Sequence, residues 1–160
     1  MGNIMNAKEK TITVQRDIIK RLTELELQIS KLYETYATRF PDHSNLWLRL
    51  SKEEKKHAAF LKGVEKNTLD QGYLLQNIGG FSIDLVQPTI EQVETEIANA
   101  EKLAYTVEDA VNFAIKIESS LLDSHFYDKV TSDAPGYKSV ANVLVTETRK
   151  HLDEIRQLQV

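Results

Sequence analysis

Glu54 and His57 lie one helical turn apart in the run Leu50-Ser-Lys-Glu-Glu-Lys-Lys-His-Ala. Around them, Trp47, Leu50, Glu54, His57, Leu61 and Val64 recur in alternating steps of three and four. That spacing is a single buried seam on a helix, and the two ionisable side chains sit in its middle. At i and i+3 both point into the same patch of core. A core-facing Glu-x-x-His is the unit from which carboxylate-bridged dinuclear metal sites are built in helical bundles.

Three further segments carry a misfit of the same kind. Glu26 flanks the apolar stripe Ile18, Leu22, Leu25, Ile29, Leu32, Tyr36 and Phe40, while Glu24, Gln28, Lys31 and Thr35 form the polar face. Glu118 stands at mid-height in the seam Val107, Val111, Ala114, Glu118, Leu121, His125. The seam Tyr137, Val140, Leu144, Thr148, His151, Ile155, Leu158 brings His151, with Thr148 where a second Glu-x-x-His would have its carboxylate. Glu147, at i, i+4 to His151, reaches toward the same face. Unpaired carboxylates cost several kcal/mol each in a core. No Lys or Arg occupies the middle turns of these seams to offset them. Divalent cations would, and oxygen with imidazole ligands suits iron or manganese, with zinc as an alternative. The expected metal ligands are therefore Glu26, Glu54, His57, Glu118, Glu147 and His151. Tyr33, His125 and Thr148 are candidates to back those ligands. Tyr33 and Tyr36 also read as phenols over the site or as ordinary core. Glu53, Lys55 and Lys56 read as solvated charge. No side chain is assigned a catalytic role.

The elements that must position these residues follow from periodicity and breakers. Helices are expected over about Val14–Phe40, Asn45–Asn67, Thr106–Val130 and Tyr137–Leu158. Pro41 ends the first, Thr106 with Asp109 caps the third, and Asp133, Pro135 and Gly136 separate the last two. The first and last pairs have short links and read as antiparallel hairpins. Between Thr68 and Tyr105 lies a long crossover, with a short helix expected from Thr89 to about Lys102. The fold class is all-α: an antiparallel four-helix bundle of ferritin-like topology, one domain over residues 1–160 with its core at about 14–158.

The bulk numbers narrow the alternatives. A length of 160 residues suits one core, and only six Gly and three Pro argue against many β-turns. A net charge of -4 with no basic cluster speaks against nucleic acid. No apolar run is long enough to cross a bilayer, and the polar Met1–Lys10 stretch has no signal-peptide core. Gly2 does not read as a myristoylation site, because Asn6 stands where Ser or Thr is needed. With no cysteine there is no disulfide, thiolate site or iron–sulfur cluster. A cytoplasmic protein is expected.

The runs Glu26–Tyr33 and Leu50–Ala58 resemble the first half of a rubrerythrin-type domain of the ferritin-like superfamily. That family places a Glu seven residues before a Tyr on one helix and Glu-x-x-His on the next, then repeats the plan. Ala114-x-x-x-Glu118 and His151 are similar to the second half, and the likeness extends over about Ile18–Leu158. The resemblance implies two iron ions per chain, or manganese, held by Glu26, Glu54, His57, Glu118 and His151. It implies reduction of peroxide or oxygen, or oxygen-dependent oxidation of iron. The family's rubredoxin-like module is missing, so an external electron donor is implied. A homodimer is the commonest closed assembly for such a chain. The competing expectation is a metal-binding or metal-free bundle with a storage, structural or association role and no efficient turnover, and Thr148 is what favours it.

Overall fold

The computed structural model describes residues 5–159; the readings made of Met1–Ile4, Gly2 included, and of Val160 fall outside them. Among the described residues the protein is all-helical, with no β-strand. Five long helices, α1 (Ala7–Arg39), α2 (Ser44–Val64), α3 (Ile83–Ala100), α4 (Val107–Asp123) and α6 (Tyr137–Arg156), are joined by turns and by the four-residue α5 (Phe126–Lys129). No helix among these residues is long and apolar enough to cross a membrane.

Helix α1 begins at Ala7, two turns before the expected Val14. Its start is fixed by Asn6, whose side chain accepts from the Glu9 amide at 2.9 Å while the Glu9 carboxylate accepts from the Asn6 amide at 2.8 Å. The first turns are exposed and carry no apolar stripe, so periodicity alone misses them. Pro41 ends the helix, a 3-10 turn over Pro41–His43 reverses the chain, and α2 follows. After Val64, the last turn widens into a π-helical turn over Glu65–Leu69.

Two further boundaries differ from the sequence reading. Helix α3 starts at Ile83 and contains Pro88, where the expectation was a start at Thr89. Proline in the second turn removes the helical bond to the Asp84 carbonyl, and Asp84 is an exposed residue, where that loss costs least. Helix α4 ends at Asp123 rather than near Val130. Ser124 donates to the Leu121 carbonyl at 2.7 Å and accepts from the Phe126 amide at 3.3 Å, competing with helical bonds. His125 then adopts a left-handed conformation (φ 57°), which turns the chain into α5.

Helix α1 packs on α2 and α3, α4 packs on α6, and α2 touches α6. Ile19, Ile29, Leu32, Leu50, Leu61, Ile117 and Leu144 fill the interior between them. Each such side chain contributes roughly 1.5–3 kcal/mol on burial, which offsets the cost of the polar groups placed among them. A paired bridge between Gln76 and Thr131 (2.7 and 3.0 Å) ties the crossover to the loop after α5.

Candidate metal centre

Helix α1 contributes Glu26, α2 Glu54 and His57, α4 Glu118, and α6 His151, and all five are fully buried. The contact of α2 with α6 brings one ligand atom from each of Glu54, His57 and His151 within 4.8 Å of one another. Glu54 lies between the two imidazoles. Its Oε2 is 2.9 Å from His57 Nδ1, and its Oε1 is 2.7 Å from His151 Nδ1. The imidazole rings stack with centroids 5.2 Å apart and planes 19° from parallel. Glu118 Oε1 lies 3.7 Å from His151 Nδ1, and Glu26 sits beside Glu54.

Each flanking carboxylate is held by one phenol. Tyr33 donates to Glu118 Oε1 and Tyr127 to Glu26 Oε1, both at 2.5 Å. The second oxygen of each, Oε2, has no hydrogen-bond partner. Glu54 Oε1 and His151 Nδ1 are close, yet their geometry makes no hydrogen bond, so both also stand unpaired. Four buried potential ligand atoms of the cluster thus have no hydrogen-bond partner, a concentration in one place of what is normally rare in a core. Among the described residues no Lys or Arg is buried.

The outer nitrogens are anchored. His57 Nε2 is 2.8 Å from Glu147, and His151 Nε2 is 2.7 Å from Glu53. A carboxylate on one nitrogen fixes the tautomer and ring orientation and leaves the other nitrogen as the lone-pair donor. The other nitrogen of each ring, Nδ1, faces Glu54. Glu147, expected among the ligands, therefore takes the far side of His57 instead, because its place on α6 lies off the seam and half-exposed. Glu53, read as solvated charge, instead bridges His151 and Arg49, the latter at 3.6 Å. Its wheel position is off the seam, but α6 is close enough for it to reach across.

The remaining expectations resolve by position. Thr148 is fully buried with its hydroxyl unpartnered. His125 is not near the cluster: its side chain is exposed and lies 3.2 Å from Asp128, because the left-handed turn carries it out of the α4 seam. Tyr127 is the residue that same turn delivers to the site in its place. Periodicity does not reveal it, since a continuous helix to Val130 would aim it elsewhere.

The electrostatics are those of a core that lacks cations. Burial and the adjacent Glu54 charge push the Glu26 carboxyl well above its ordinary value, and the same two causes raise Glu118. Burial also works against the charged form of Glu54, but His151 and His57 outweigh it and hold Glu54 at about 2. Burial disfavours the imidazolium of His57, yet Glu54, Glu26 and Glu147 outweigh that and raise it to about 9. For His151 burial is again overcome, by Glu118 and Glu54, and it rises to about 11. Without a metal, protons supply the missing positive charge. Three carboxylates and two imidazoles are a donor set that divalent iron, manganese or zinc would accept in their place.

Comparisons with protein-family models, with curated proteins and with solved structures gave no match.

Proposed function

We propose that the protein is a ferritin-like, carboxylate–imidazole metalloprotein of rubrerythrin type that binds iron, or manganese, and reduces peroxide or oxygen with electrons from an external donor. The observation that carries this reading is the set of four buried atoms without a hydrogen-bond partner: Glu26 Oε2, Glu118 Oε2, and the facing Glu54 Oε1 and His151 Nδ1. Glu26, Glu54, His57, Glu118 and His151 would hold the metal, with Glu54 central to both imidazoles. A bound iron pair would supply a Lewis acid and a reversible one-electron couple. The chain's own residues orient and insulate it. Glu53 and Glu147 fix the imidazoles, Tyr33 and Tyr127 each hold one flanking carboxylate, and the surrounding aliphatic side chains exclude water.

One observation favours a second reading, a metal-free polar core. Glu54 already lies within ion-pair distance of both imidazoles, so protonated histidines satisfy much of the cluster. Elemental analysis of protein produced with iron and manganese supplied separates the two. The expected result is one to two metal ions per chain, lost in the Glu54→Ala, His57→Ala double variant while the helical circular dichroism persists. Wild-type protein devoid of metal under those conditions, or a double variant that retains it, would overturn the proposal.

A further inference from the structure

Above the cluster the core is aromatic, and its rings form an unbroken series from a candidate ligand to the surface. Tyr33 donates to Glu118 Oε1 at 2.5 Å. Its ring lies 5.4 Å from that of Trp47, Trp47 lies 5.0 Å from Tyr36, and Tyr36 stacks at 6.1 Å on Tyr105. Tyr33, Tyr36 and Trp47 are fully buried. Tyr105 is half-buried and lines an open cleft of about 540 Å³ with Glu96, Asn99, Asp109, Asn112 and Lys116. These spacings are contact distances for aromatic pairs. Every ring on the path is a phenol or an indole, the side chains most readily oxidised by one electron.

Two details go beyond packing. The Trp47 indole N–H is buried without a hydrogen-bond partner, an arrangement that costs stability and calls for an explanation. The phenols form a directed chain: Tyr36 and Tyr105 hydroxyls lie 2.9 Å apart, and the Tyr105 hydroxyl donates to the Glu96 carboxylate at the cleft. A tyrosine that loses an electron must also release its phenolic proton, and Glu96 is placed to take it. An indole, by contrast, can pass an electron while keeping its proton, which suits a site with no acceptor.

We propose that Tyr105, Tyr36, Trp47 and Tyr33 form a one-electron relay that carries reducing equivalents from a donor at the Tyr105 cleft to the buried centre. This rests on the proposed redox function. In each passage Tyr33 would give one electron to the oxidised centre, and the deficit would move outward through Trp47 and Tyr36 to Tyr105, each inner phenol shifting its proton along its own hydrogen bond, Tyr33 to Glu118 and Tyr36 to the Tyr105 hydroxyl, and recovering it on re-reduction. Tyr105 gives its proton to Glu96, takes an electron from a diffusible one-electron reductant, and recovers the proton. Every ring ends as it began. Two passages, with two protons from solvent, reduce one peroxide to two waters.

The chain has no cysteine and a single tryptophan, which makes the relay directly testable without metal. A ruthenium polypyridyl photo-oxidant is attached to an Asn112→Cys variant of the full-length protein, at the cleft. Flash oxidation is then followed by transient absorption, in which indole and phenoxyl radicals are distinct. The expected result is a tyrosyl radical followed by the Trp47 radical. Tyr36→Phe keeps the ring and removes the oxidisable phenol, and is expected to slow Trp47 oxidation by about tenfold or more. Trp47→Phe should stop the transfer at tyrosine; if that variant fails to fold, Tyr36→Phe still decides. A Trp47 radical that never forms, or one whose rate ignores Tyr36→Phe, overturns the relay. Because this readout uses metal-free protein, it stands apart from metal binding. A stopped-flow measurement of ferric-centre reduction by hydroquinone, with and without Tyr36→Phe, then joins the two.

Discussion

The proton occupancy of the metal-free protein's buried cluster makes a prediction whose sign is opposite to that of most proteins above neutral pH. His57 is raised from 6.5 to about 9 and His151 to about 11, so each binds a proton more tightly folded than unfolded. Such groups stabilise the fold fully below the unfolded pKa and lose that contribution as pH rises through the folded one. Glu26 and Glu118, also raised, act in the same direction from 4.5 upward. Glu54, lowered from 4.5 to about 2, contributes above 4.5 and is lost only as pH falls through 2. Metal-free protein should therefore be most stable near pH 4.5, above which the two raised carboxyls and then the two imidazoles lose their contributions. From pH 6.5 to about 9, His57 alone removes roughly 3 kcal/mol, at about 1.4 kcal/mol per unit. For a chain of this size that is a fall of about 6–12 °C in Tm. Metal competes with the same protons, so the Tm increment given by Mn(II) or Zn(II) should grow over that range. Scanning calorimetry at fixed ionic strength, with chelator and with metal, measures both. A metal-free Tm that is flat or rises from pH 6 to 9 refutes the assignment of protons to this cluster.

Two substitution experiments probe the parts around the ligands. Glu53→Gln and Glu147→Gln should each lower metal affinity by about 10–100-fold, with helical content unchanged, because each frees the outer nitrogen of one imidazole; competition against a chromophoric chelator reads this, and unchanged affinity in both removes the anchoring role. Thr148→Glu adds a fourth inner carboxylate to a core without Lys or Arg. It should destabilise the metal-free form by roughly 1–3 kcal/mol and raise metal content, measured by melting and elemental analysis. Loss of metal with unaltered stability would count against Thr148 facing the site.

The seams carried most of what the sequence could tell. Glu54 and His57 were legible because alternate steps of three and four leave a buried Glu and His no other side of α2 to occupy, and Glu118 and His151 stood out by the same rule. Glu53 and Glu147 were not legible in their roles. A helical wheel places both off the seam, and whether such a residue meets solvent or a neighbouring imidazole depends on how closely α2 approaches α6. The start of α1 was hidden because its first turns are exposed, and that of α3 because Pro88 reads as a breaker. Tyr127 and His125 exchanged roles through one backbone conformation, the left-handed His125, which no glycine or proline announces.

What the three-dimensional arrangement adds is a near twofold pattern of contacts. Glu53 of α2 holds the histidine of α6, and Glu147 of α6 holds the histidine of α2. Tyr33, on the Glu26 helix, holds Glu118, and Tyr127, just beyond the Glu118 helix, holds Glu26. Every support is thus lent by one half of the chain to the other, so neither half forms its part of the cluster alone. The inner pair alone departs from this pattern: Glu54 has Thr148 as its counterpart. One carboxylate must then serve both imidazoles: Glu54 sits between the two Nδ1 atoms, which favour its charged form, while burial and the Glu54 charge work against the charged forms of Glu26 and Glu118. An added carboxylate at position 148 would share that load only if a cation came with it. The asymmetry is thus confined to the inner pair, and leaves the supports on both sides intact.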